Sequence, residues 1–476
     1  AIAGTINIIT KEPLRNSGQL AHTITSIGGS SSFDNNTSLN ASLVTDDHRA
    51  GLYVFGQNRH RDAYDHDGDG YSEMPKLKNQ TVGFRSFLKT STYSKLTFEY
   101  HHLQEFRRGG NMLNRPPHEA DIAEQIQHSI NGGGLKFDYF APNEKHRLTL
   151  YTSAQHTDRD SYYGSKKDLN AYGKTTDLTF IGGSQYVYSF DKCLFMPADL
   201  TAGLEYNRDN LKDDMWGYNR YTRQTVNIGS AFFQNEWKNE KWSILLGGRL
   251  DKHNLINHVI FSPRANLRFN PTQDVNLRLS YSSGFRAPQA FDEDLHIENV
   301  GGTVSMIERA KNLKEEKSQS FSASADMYHR FGAFQVNFLV EGFYTKLSDV
   351  FVLENIGERD GILIKERRNG SGAKVLGLSM EGKMAYLSLF QLQAGVTLQQ
   401  SRYDEPEKWS ETAPAQKKIF RTPNTYGYFT ATYTPVKPLS VSLSGTYTGS
   451  MLVQHMAGYI KNDIAVNTRD FFDMGV

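Results

Sequence analysis

The stretch NPTQDVNLRLSYSSGFRAPQAFDEDLH, residues 270–296, decides the fold. It opens with a tight polar turn, NPTQD. A strand follows: in VNLRLSYSSG (275–284), Leu279, Tyr281 and Ser283 alternate with Ser280, Ser282 and Gly284. Such period-two alternation marks a half-buried strand. The strand then runs into Arg286, Pro288 and three carboxylates, Asp292, Glu293 and Asp294, with His296 after them. A short turn at one end of a strand and a long charged segment at the other ask what barrier separates the two ends.

The same alternation recurs outward from this stretch. RAGLYVFGQN (49–58), TVGFRSFLKT (81–90), DLTAGLEYNR (199–208) and WSILLGGRLD (242–251) each put one class of side chain on one face. HEADIAEQIQHSI (118–130) is the best helix candidate, for one or two turns, with Gly132-Gly133-Gly134 close behind. The connections alternate in length. TDDH (45–48), TSTYS (90–94), FAPNEKH, KNEK (238–241), NPTQD, HRFGAF and TPVKPL (434–439) are short. Between them lie long connections at about 60–79, 105–126, 158–174 and 285–317, and at DEPEKWSETAPAQKK. A meander with tight turns on one side and long loops on the other is what a transmembrane barrel needs. In hydrocarbon every backbone N–H and C=O must be paired, which a closed sheet achieves. The expected fold is therefore all-β: an antiparallel up-and-down transmembrane barrel, with about 20 strands present against the roughly 22 of plugged transporters.

Composition agrees. The 476 residues carry a formal charge of +1, so no basic footprint argues for nucleic acid. Cys193 is the single cysteine, which excludes an internal disulfide and a multi-cysteine metal site. Mean hydropathy is negative, and no run of about 18 apolar residues offers a helical span. No GxSxG, HExxH or phosphate-cradling glycine loop is present, so no enzyme is expected.

Three segments resemble one family, the TonB-dependent outer-membrane receptors, in its Bacteroidetes type. AIAGTINIITKEP (1–13) is similar to the last plug strand of that family. FSPRANLRFNPTQDVNLRLSYSSGFRAP (261–288) resembles its central hairpin and FRAP box. NLKEEKSQSF (312–321) resembles its second box, although Ala310-Lys311-Asn312-Leu313 lacks the expected proline. The resemblance implies residues 1–12 as a plug remnant and 13–476 as a barrel domain that lacks about two C-terminal strands. It also implies an outer-membrane location, lipid as surroundings, energy from the TonB complex through the plug, and import of a scarce chelate: iron siderophore, haem or cobalamin. A glycan or peptide importer working with a surface lipoprotein is the alternative. A barrel enzyme or adhesin is disfavoured by the plug-like segment.

Four places carry candidate sites. In the 285–317 loop, Arg286 is read either as a bidentate clamp on a loop carboxylate or as part of a loop closing over ligand. His296 falls where the resemblance to haem receptors implies an iron ligand. EFRRGGNMLNRPPHEAD (105–121) offers Arg107, Arg108, Arg115 and His118, either in a loop folded over the mouth or as a cationic wall for an anionic ligand. DMWGYNRYTR (214–223) offers Trp216, Tyr218 and Tyr221, for stacking on a flat ligand or for anchoring at the membrane rim. In DHDGDGYSE (65–73), Asp65, Asp67, Asp69 and Glu73 can gather a calcium ion. The twelfth position is Lys76 where an EF-hand needs Glu, so this is no EF-hand. No other cofactor is expected.

Overall fold

The computed structural model describes residues 12–295, 304–455 and 460–476. Among these the chain forms one 21-stranded antiparallel sheet and two small sheets. Consecutive wall strands pair as hairpins, from Ser17–Ser26 with Phe33–Val44 onward to Leu439–Thr448 with Phe471–Gly475. Among the described residues no pairing joins the first and last of these strands.

Cross-strand register shows which face meets lipid. Leu267 pairs with Leu279, Leu279 with Ala323 and Ala323 with Gly342; Leu378 and Leu398 continue the row. Leu279, Leu378 and Leu398 are exposed apolar side chains on that row. The opposite face is polar. Arg249 bonds Glu205 at 2.7 Å and Asp251 at 2.8 Å, with Tyr151 donating to Glu205 at 2.6 Å. An apolar outside and a charged inside fit a wet lumen in a bilayer. Exposed aromatics girdle the short-turn end: Tyr93, Phe140, Phe195, Trp242 and Phe331. Tyr100, Tyr206, Phe261 and Tyr344 form the upper girdle. In the strand Ala50–Arg61, Val54 pairs with Phe84 on the outer face, so Tyr53 and Phe55 face the lumen.

The strands are longer than a bilayer requires. Tyr172–Cys193 has 22 residues and His146–Ser165 has 20, against roughly 9–11 for a span. Above Tyr206 the outer series becomes Arg208, Asn210, Lys212 and Asp214. The wall therefore continues past the membrane as a wet, two-sided sheet. The connections expected at 60–79, 105–126 and 158–174 are correspondingly shorter: strand pairing runs to Arg61, Gly110 and Ser165 and resumes at Ser72, Ile122 and Tyr172. The helix candidate is also corrected. Only Pro117–Glu119 is helical, as a 3-10 turn, and Ile122–Phe140 is a strand. Its glycines serve close packing: a Cβ on Gly132 would lie 2.6 Å from the His101 ring.

Candidate ligand site at the extracellular mouth

The segment 287–295 leaves the strand Val275–Arg286 and turns into the lumen. Pro288 has no N–H to continue a ladder, and Asp292–Leu295 closes as a 3-10 turn. Ala290 and Leu295 pack on Leu211 of the wall, and Ala287 packs on Ile256 and Ile260. Its carboxylates are gripped from several directions. Arg159, on the strand His146–Ser165, bonds Asp292 at 2.7 Å. Arg367, on the strand Ile362–Asn369 of a small three-stranded sheet, pairs with Asp294. Arg220 donates to the carbonyls of Leu295 at 2.7 Å and Asp294 at 3.3 Å, and bonds Asp213 at 2.5 Å. Arg367, Asp294, Asp213 and Arg159 are all buried. Charges so desolvated persist only when paired, so the lattice fixes the segment as a lid.

Two further contacts complete the lid. The Arg286 guanidinium lies 3.6 Å from the Phe291 ring centroid, a cation–π contact. Gln224 is buried, and its Oε1 accepts from the Ala290 N–H at 2.8 Å and from Arg309 at 2.5 Å. Arg309 belongs to the strand Ser305–Arg309, which runs parallel to Ile362–Asn369. Met306 and Ile364 of that sheet pack on Met215 of the wall. Beside the lid lies a cleft of about 560 Å³, lined among others by Arg220, Tyr221, Pro288, Arg309 and Lys311. Arg220 is neutralised by Asp213. Arg309 and Lys311 form no ion pair among the described residues, although the Asp294 carboxylate acts on Arg309 through space.

The expected site residues divide. Arg286 is at the site, and among the described residues it contacts the Glu316 carboxylate on the adjoining strand, at 3.7 Å. Asp292 and Asp294 are held by Arg159 and Arg367, which reach in from the far wall and the small sheet. His296 lies outside the described residues. Arg107 faces the lumen side and pairs with Glu105 at 3.1 Å. Arg108 alternates to the other face and is 1% exposed, donating to the carbonyls of Gly109 and Asn111. It forms no ligand wall. The loop read at 105–121 as folded over the mouth is placed otherwise: residues 105–110 belong to the strand Ser94–Gly110, and Ala120 packs with Ala123, Tyr162 and Ala171 on the outer side of the extended wall. His118 anchors that packing, with Nδ1 2.8 Å from the Tyr172 hydroxyl.

Of the three aromatics, Tyr221 lines the cleft, Trp216 is exposed at the rim, and Tyr218 hydrogen-bonds Asp168. Burial, then that bond, push the Tyr218 phenol well above its ordinary range. Arg159, Asp213, Gln224, Arg309 and Arg367 carry no local signal, since each meets its partner from a distant segment. The acidic loop 65–73 does converge. One carboxylate oxygen each from Asp65, Asp67, Asp69 and Glu73 lie within 4.8 Å of one another. Gly68 and Gly70 take positive φ there and donate to Asp65 at 2.7 and 2.9 Å.

A lumen-bearing barrel with a lid tied across its mouth defines an outer-membrane receptor-transporter. Residues 14–469 match the family described as TonB dependent receptor-like, beta-barrel. The chain belongs to that family, and its place is the outer membrane. Solved structures repeat the fold. The siderophore receptor PirA from Acinetobacter baumannii superposes with a TM-score of 0.78 at 14% identity, covering 98% of this chain and 74% of that one. A mutant of the ferric enterobactin receptor PfeA from Pseudomonas aeruginosa gives 0.79 at 14%, covering 100% and 74%. The outer membrane transporter YddB from Escherichia coli gives 0.69 at 11%, covering 93% and 68%. No curated protein sequence matches the chain.

Proposed function

We propose that this barrel takes up an anionic metal chelate, a ferric siderophore ahead of haem or cobalamin, using energy delivered by the TonB complex through a plug of which residues 1–12 are the end. One observation carries the reading: the cleft beside the lid presents Arg309 and Lys311, neither of them in an ion pair among the described residues. Asp294 and Glu308 line the same cleft but are ion-paired with Arg367 and Arg359, so the two cations outside any ion pair attract and hold an anion. Siderophore receptors among the structural neighbours support the same class. The haem alternative rests on His296, and the glycan or peptide alternative on a lipoprotein partner. Uptake of radio-iron chelates by cells with and without the gene, and with and without TonB, tests the proposal. Energy-dependent uptake that falls at least tenfold in the Arg309→Gln/Lys311→Gln pair is expected. Growth on a glycan as the sole gene-dependent phenotype would overturn it.

We also propose calcium at Asp65, Asp67, Asp69 and Glu73, whose hard oxygen donors suit that cation. Calorimetric titration of the receptor with calcium is expected to give saturable heat, abolished by Asp65→Asn/Asp67→Asn. Absence of heat at millimolar calcium would remove the ion and leave a polar turn.

A further inference from the structure

We propose that the outer face of the barrel carries a seat for one anionic lipid of the outward leaflet, a glycolipid with phosphate on its headgroup and several acyl chains. An apolar feature and a charged one meet there. The apolar feature is a shallow hollow of about 1140 Å³ on the lipid-facing side of the wall. It forms where Ala323 and Gly342, paired across adjacent strands, interrupt the exposed row of Leu279, Leu378 and Leu398. A Cβ on Gly342 would meet nothing within 4 Å. Asn266, Ser280, Ser322 and Gln399 touch the hollow from positions that alternate to the lumen, so polar side chains on the outer face are confined to Tyr281, Tyr344 and Gln400 along its upper edge. In hydrocarbon such a hollow is filled by acyl chains, because an empty one forfeits dispersion contacts.

Two residues above that edge the outer face turns cationic. Register sets Lys346 beside Lys374, Lys374 beside Arg402 and Arg402 beside Lys418. At ordinary strand spacing this row is about 14 Å long. Lys346, Arg402 and Lys418 are exposed, and none of them joins an ion pair among the described residues. Lys374 has Asp404 on the same face, at 3.7 Å. The row stands just above Tyr344 of the upper girdle, at headgroup height, and at the end of the barrel that carries the lid. Clustered Lys and Arg at that height attract anionic headgroups. A row of this length exceeds what one phosphodiester can engage and suits a broad headgroup with more than one phosphate. The hollow runs from the strand Trp242–His253 to the strand Phe390–Glu407, wide enough for several chains side by side. The seat lies on the opposite side of the wall from the lid, so it is independent of the cargo.

The test strips the full receptor of lipid in detergent and offers it diphosphoryl lipid A, phosphatidylglycerol or inorganic phosphate. Native mass spectrometry then measures what stays bound, and heat-modifiable gel mobility confirms the folded barrel in every variant. Diphosphoryl lipid A is expected to form a single adduct at least tenfold tighter than that of phosphatidylglycerol, and millimolar phosphate to leave it in place. Lys346→Gln/Arg402→Gln/Lys418→Gln is expected to weaken the adduct about tenfold. Gly342→Leu, which fills the hollow, is expected to do the same. Lys212→Gln, a cation elsewhere on the outer face, should leave it unchanged. Undiminished binding by the triple variant, or an equal loss in Lys212→Gln, overturns the seat. Phosphatidylglycerol held as tightly overturns the glycolipid, and displacement by phosphate reduces the row to a surface anion patch. Full binding by Gly342→Leu overturns the part assigned to the hollow.

Discussion

The wall within the bilayer and the wall above it are one sheet under two different physical regimes. In the lower part solvent sorts the side chains. Leu279 and Phe321 point to lipid, and Glu205, Arg249 and Asp251 to the lumen. In the upper part both faces are wet: His156, Asp158 and Asp160 alternate with Thr157, Arg159 and Ser161. There the ladder remains but sorting is lost, and specific ion pairs take over positioning. The difference teaches that the lower wall is robust to changes of shape and fragile to charge. The upper mouth is the reverse at its surface and fragile at a few buried pairs.

The largest effect should therefore come from the lid. Asp294→Ala removes one partner of a buried ion pair with Arg367, at a cost of roughly 3–5 kcal/mol. Because the segment is a local unit, the loss should appear as faster hydrogen exchange across 287–295 with the barrel intact. Asp294→Leu/Arg367→Met should recover most of that protection, since an apolar pair replaces the broken ion pair. Retained protection in Asp294→Ala would mean that the lattice does not hold the lid. Next comes the lipid face, where Leu279→Arg should cost about 2–4 kcal/mol in urea unfolding from vesicles. The same charge above the membrane, Gln127→Arg on the outer face, should stay within about 0.5 kcal/mol. Equal costs at the two positions would erase the boundary drawn between the regions. Between them stands Phe291→Leu, which removes the ring under Arg286 and should cost about 0.5–2 kcal/mol of lid protection. Among the mouth substitutions the smallest loss is from His118→Phe, which deletes one hydrogen bond to Tyr172. About 1 kcal/mol less protection across 111–121 is expected, with no change in ligand affinity because this loop packs on the outer side.

The two regimes also explain what was legible in the sequence. Period-two alternation exposed the bilayer strands, and the short turns fixed the up-and-down order. The upper strands were hidden because hydropathy carries no strand signal where both faces meet water; residues 158–165 read as loop for this reason. The acidic loop was legible because Asp65, Asp67, Asp69 and Glu73 are neighbours in the chain. The lid was half legible. Arg286 and the 292–294 carboxylates stood out, but their partners did not. Arg159 and Arg367 reach Asp292 and Asp294 from 133 and 73 residues away along the chain. The arginines that did stand out, Arg107 and Arg108, point to opposite faces of one strand, so their adjacency promised a shared wall that the pleat forbids.

The height of the wall above the bilayer has a consequence for access. From Tyr206 to Met215 the strand climbs about nine residues, roughly 20–25 Å at ordinary rise and tilt. The mouth thus opens beyond the reach of lipid headgroups, like a chimney standing clear of a roof. Solutes enter it from open water, and whatever creeps sideways along the cell surface meets only the flank of the stack.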